Sequence, residues 1–223
     1  MVSNDQSRIP PPPGEEETPI HTRTYAVQTY RIDGQTMRLR GRVTDTKPAG
    51  LYVPDDPEPL DVHDMSVDLI VSFPSLVIQR VDVVLDTHPN AGCPSIEPAF
   101  EQLEGVSIAR GFNRKLTELL GGPRGCTHVV ALLRAMVPVA IQSVYSMQAA
   151  DPERDPDADW KRERLSKDAN IDTSAFVADS CHLWATGGDH MTAVQNGEPL
   201  PAPVWIRDRL TKLGRINEVS KWE

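Results

Sequence analysis

Aromatic side chains make up only 5% of this 223-residue chain, and no stretch concentrates lysine and arginine. The first shortage leaves no obvious stacking platform for nucleic-acid bases. The second, with a net charge of −9 and a pI of about 5.2, argues against a partner that presents a phosphate backbone. No run of about 18 apolar residues stands out as a membrane helix, and no charged-then-apolar leader is read at the start. The three cysteines form no C-x-x-C pair, and no H-x-x-x-H stands on a helix, so zinc is not readable from spacing. An odd cysteine count without framework spacing favours reduced thiols and a cytoplasmic location. No P-loop or Gly-rich nucleotide fingerprint occurs, and no cofactor is expected.

The length suits one domain with additions. Residues 1–19, with Pro10 to Pro13 and Glu15 to Glu17, have almost nothing to bury and read as a disordered tail. Residues 20–223 read as a single α+β domain: a sheet over 20–88, a helical part over 91–150 and a C-terminal extension over 151–223. The sheet is expected to be a four-stranded antiparallel meander, broken by an acidic, proline-rich loop from Pro48 to Asp61 that would serve as lid or padding. After Gly92-Cys93-Pro94, helices are predicted over Glu97–Leu103, over Phe112–Leu120 and from Cys126-Thr127 onward. The last is long, with Thr127 as candidate N-cap and a kink expected at Pro138. Its apolar face, running from Val129 to Val144, should pack on the sheet. Asp151 to Asp159 reads as a linker. Beyond it a helix over Ser174–Trp184, a hairpin through Asn196-Gly197 and a terminal helix from about Val204 are expected.

What the sheet does contain is a change of character along one face. Tyr25 and Val27, then Met37, Leu39 and Val43, then Met65, Val67, Leu69, Val71 and Phe73 are all odd-numbered apolar positions. Such period-two alternation marks half-buried strands. His21, Arg23, Asp45, Lys47 and His63 continue the same parity at one end of the meander. A three-residue connection centred on Asp33-Gly34 would set Arg23 opposite Asp45 and His21 opposite Lys47, whereas a two-residue turn would spoil the match. His88 should arrive near the same edge. Ionisable groups on a core-facing side are costly unless they pair or react. Taken singly, each suits a structural ion pair at a sheet edge; as a group they make a candidate site.

In that site His63 is the first candidate base and His128 the second. Arg23 and Lys47, with His21, would hold an anionic substrate, and Asp45 would orient a histidine or neutralise Arg23. Gly125-Cys126-Thr127-His128 lies at a predicted helix N-terminus, which favours a thiolate or a bound anion and adds Cys126 to the binding residues. Two alternatives stay open: a metal site from Cys93, Cys126 or Cys181 with His128 or His182, and a non-catalytic binder of a small anion. Asp179-Ser180-Cys181-His182 holds nucleophile ingredients, but neighbours in sequence rarely form a triad.

The stretches His21-Thr22-Arg23-Thr24-Tyr25, Gly41 to Pro48, Val62-His63-Asp64-Met65, Gly92-Cys93-Pro94, Gly111-Phe112, Gly121-Gly122 and Gly125 to His128 resemble a bacterial family known as domain of unknown function 2889. Asp179 to His182 matches it weakly. The resemblance covers about residues 20–184. It implies a setting in aromatic-compound catabolism, including lignin degradation, and a carbon–carbon lyase role. The implied reaction is a cofactor-independent, retro-aldol-like cleavage of a lignin-derived hydroxymethyl aromatic that releases formaldehyde. The partner expected is therefore a small aromatic or acidic molecule, with no nucleic acid and no membrane. A homo-oligomer stays open.

Overall fold

The structure, a computed structural model, describes residues 19–109, 111–149 and 178–222. All but the last residue of the expected 1–19 tail, the 151–159 linker and the first part of the Ser174–Trp184 helix lie outside the described residues.

Four strands form one antiparallel sheet in the order β1-β2-β3-β4: β1 Thr22–Arg31, β2 Thr36–Lys47, β3 Leu60–Ser72 and β4 Ile78–Thr87. The meander follows from the odd-position alternation. Met37, Leu39 and Val43 of β2 and Met65, Val67, Leu69 and Val71 of β3 are buried, while their even neighbours face outward. Ile32 N–H donates to Thr36 C=O at 3.0 Å, leaving Asp33-Gly34-Gln35 as the three-residue turn. That turn pairs Arg23 with Asp45 as expected. β4 is an edge strand, and two of its backbone donors are taken up by side chains. Leu85 N–H donates to Glu97 at 2.8 Å and Val81 N–H to Glu104 at 3.3 Å, which blunts the edge against foreign strands.

Cys93–Leu103 is a 3-10 segment rather than the shorter helix expected from Glu97. α1 spans Phe112–Leu120 and α2 Thr127–Ala149, so the fold is α+β with a long helix laid on the sheet. Val129, Leu132, Leu133, Met136, Ala140 and Val144 of α2 join the sheet residues in one core. Gly41 lets the two approach: a Cβ there would lie 2.7 Å from Met136 Sδ and 3.0 Å from Leu132 Cδ1. Pro138 sits inside α2, which continues past it. The cap lies one residue earlier than expected, since Val130 N–H donates to Cys126 C=O at 2.9 Å. Cys126 therefore holds the capping position and Thr127 is the first helical residue. Thr127–Met147 is long and apolar enough, at a mean hydropathy of 1.5, to cross a membrane by length and composition, although Arg134, Gln142 and Ser143 interrupt its apolar residues. Its apolar stripe is spent on the sheet.

Two expectations for the extension fail. Ala178–Trp184 is a turn followed by a 3-10 segment, His182–Trp184, not a helix. Asn196-Gly197 closes α3, Asp189–Gln195, instead of turning a hairpin. Gly197 has φ +69, and Glu198 N–H donates to Ala193 C=O at 2.8 Å, as in a left-handed helix stop. α4, Val204–Lys212, is the helix expected from Val204, and it carries a small apolar cluster with Ala202, Val219 and Trp222.

Candidate active site

The site is built where three strands and one helix end meet. Arg23, Asp45 and His63 are successive register partners across β1, β2 and β3 on the core face. Directly opposed side chains in a sheet lie about 5 Å apart, so the pairing alone brings the three within reach. The start of α2 places His128 over the same spot. Its ring stacks on that of His63, with centroids 3.7 Å apart and planes at 29°.

Asp45 is the centre, at 1% exposure. Arg23 donates to it twice, Nε to Oδ1 and Nη2 to Oδ2, both at 2.6 Å. Three imidazoles surround the same carboxylate. His21 Nε2 lies 3.2 Å from Oδ1, His63 Nδ1 3.0 Å from Oδ2 and His128 Nε2 3.6 Å from Oδ2. The hydrogen bonds from Arg23 hold the Asp45 carboxyl down at about 2 against the opposing effect of burial, with the Arg23 charge helping. Asp45 is therefore an anion at neutral pH and cannot itself deliver a proton there. Burial first, then the neighbouring His63 and Arg23, push His128 below the usual histidine range against the pull of Asp45. His128 is thus biased toward its neutral, proton-accepting form.

His63 Nδ1 is close to Asp45 but misaligned for a hydrogen bond, and it has no other partner among the described residues. A buried polar atom left so is an anomaly that calls for a reason. Cys126 Sγ lies 3.8 Å from both His128 Nδ1 and Met65 Sδ, at the apolar margin of the centre. Among the described residues, one set of His, Cys, Asp or Glu side chains converges closely enough to hold a metal. It is Asp45, His63 and His128, whose ligand atoms all lie within 4.8 Å of one another.

The centre thus gathers His21, Arg23, Asp45, His63, His128 and, at its margin, Cys126. Lys47 does not join them: its Nζ lies 5.7 Å from the Tyr52 ring centroid, in the 48–61 loop. The β2–β3 register slips beside it, with Asp45 facing His63 and Thr46 facing Asp61, so that Val62 of β3 is the residue left over. Arg23 has its guanidinium turned to Asp45, so its first task is to hold the carboxylate rather than a substrate. His88 bonds locally, Nδ1 to Asn90 O at 3.0 Å. The cysteine ligand set is not assembled. Cys93 packs against the core, Cys181 is exposed, and His182 lies in its own 3-10 segment. Asp179 caps a turn by accepting from Thr186 N–H at 2.8 Å and from its hydroxyl at 3.0 Å.

A sequence profile described as "Protein of unknown function (DUF2889)" matches residues 21–142. That stretch is more than half of the chain and contains every residue of the centre. The chain belongs to this family. No curated protein and no solved structure matches it.

Proposed function

We propose that the Asp45 centre is the active site of a carbon–carbon lyase acting on a small aromatic that bears a hydroxymethyl group. The observation that carries the reading is a pair of stacked imidazoles beside a buried, ionised carboxylate. In the step envisaged, a histidine takes the proton of the hydroxyl. The bond from that carbon to its neighbour breaks and formaldehyde leaves, while the electron pair forms a new carbon–carbon double bond as an oxygen leaving group on the next carbon departs with the proton held by the histidine. His63 is the first candidate for the base, and His128, biased toward the neutral form by burial, is the second. Asp45 balances the imidazolium as it forms, and Arg23 keeps Asp45 ionised and in place. The aromatic substrate class and the formaldehyde product rest on the family resemblance; the residues by themselves support acid–base chemistry. A small-molecule partner and a cytoplasmic setting go with the proposal.

The test is turnover. Incubation with a panel of hydroxymethyl-bearing aromatic dimers should yield free aldehyde together with a new, more conjugated chromophore. Binding of the same compounds without either product would make the protein a binder and not a lyase.

A further inference from the structure

We propose that Asp45 Oδ2, His63 Nδ1 and His128 Nε2 form a two-histidine, one-carboxylate site for a divalent first-row transition-metal ion. Such a set leaves coordination positions open for oxygen ligands from a substrate.

Several independent observations meet at this point. Bonds of about 2.1 Å place neighbouring ligand atoms about 3.0–3.4 Å apart around a metal. Asp45 Oδ2 lies 3.0 Å from His63 Nδ1 and 3.6 Å from His128 Nε2. An ion would also account for the buried His63 Nδ1, which makes no hydrogen bond among the described residues although Asp45 Oδ2 lies 3.0 Å away. Asp45 remains able to ligate although Arg23 occupies both its oxygens, because each carboxylate oxygen has a second lone pair. The surroundings have the supporting parts such centres use. Arg23 anchors the carboxylate, and Cys126 Sγ, at 3.8 Å from His128 Nδ1, engages that ring's other nitrogen and leaves Nε2 for the ion.

The inference deepens the lyase reading and rests on it for any catalytic consequence, though not for binding. With the ion in place, His63 and His128 act as ligands. Deprotonation of the substrate hydroxyl is then eased by its coordination to the metal. His21, 3.2 Å from Asp45 Oδ1 and partly exposed, is the imidazole left to accept the proton.

The experiment uses tag-free, full-length protein, stripped with chelator and titrated with Zn²⁺ by calorimetry and with Co²⁺ by visible absorption. Expected are about one ion per chain and Co²⁺ d–d bands of a low-symmetry nitrogen and oxygen site. The thermal midpoint should rise with Zn²⁺ and fall back with chelator. His63→Ala, His63→Gln and His128→Ala should lose the bound ion, while Cys181→Ser should keep it. Should a histidine variant fail to fold, the chelator-reversible thermal shift of the wild type reads the same property. Absence of stoichiometric binding in the wild type, or full binding by all three histidine variants, overturns the proposal. Lyase turnover by the stripped protein would overturn the catalytic role given to the ion while leaving the lyase reading intact. Stoichiometric metal without turnover would do the reverse.

Discussion

Two arginine–aspartate pairs occupy opposite faces of the same sheet. On the inner face Arg23 grips Asp45, which is 1% exposed and meets three imidazoles. On the outer face Arg42 grips Asp64 through Nε and Nη2, but Arg42 is 59% exposed, and no histidine pairs with this aspartate among the described residues. Local geometry is alike in the two, a forked guanidinium on a carboxylate. What differs is the parity of the residue number, and hence the side of the sheet. The comparison teaches that ion pairing alone marks no site. A charge kept on the buried side, where it is costly, does mark one, because the fold surrounds it with further polar groups.

The comparison breaks most sharply at the histidines. His63→Ala should lower turnover about 10²–10⁴-fold, the usual contribution of a positioned acid–base group, and leave the circular dichroism of the sheet in place. Arg42→Ala on the outer face should leave aldehyde release unchanged. Full turnover in His63→Ala would remove that residue from the chemistry altogether.

Stability comes next. Asp45→Asn leaves the partly exposed Arg23 without its buried anion and should cost about 1.5–3 kcal/mol in urea unfolding. Asp64→Asn should cost about 0–1 kcal/mol, as for exposed pairs. Equal losses would mean that the two faces do not differ electrostatically.

A smaller effect sharpens the same contrast in acid. The Asp45 carboxyl is held at about 2, against an ordinary value of 3.8. Its folded value is depressed, so the folded state gains from Asp45 in full above pH 3.8 and loses that gain as pH falls toward about 2. Urea midpoints measured down this range should fall more steeply for wild type than for Asp45→Asn. The smallest effect belongs to Lys47. With its ammonium over Tyr52 and away from Asp45, Lys47→Ala should leave KM and kcat for the aromatic substrate unchanged. A large rise in KM would show that the loop brings Lys47 into the site.

Much of this was legible before any coordinates, and the reason is physical. A sheet buried on one side forces a two-residue period, so Asp45 and His63 could be placed beside Val43 and Met65 by parity alone. The symmetric turn on Gly34 then set Arg23 against Asp45. Lys47 departs from the pattern because parity gives the side of the sheet on which a side chain starts and not where a long, flexible one ends, and its ammonium ends over Tyr52. His128 was harder to weigh, since its role depends on where a helix start lands on a sheet, and no local period encodes that. The sequence offers cysteines with His128 or His182 as a ligand set, whereas the converging donors are one aspartate and two histidines from β2, β3 and α2, of which only His128 belongs to that set and whose spacing carries no metal signature. In the extension, Asn196-Gly197 was ambiguous because the left-handed φ of Gly197 serves a helix stop as well as a hairpin.

The central claim is that ligand chemistry happens at Asp45, and the six histidines allow it to be checked residue by residue. Side-chain ¹⁵N spectra of labelled protein, recorded while a hydroxymethyl-bearing aromatic is added, should show shifts confined to His21, His63 and His128. Shifts at His182 or His190, with those three unmoved, would contradict the account.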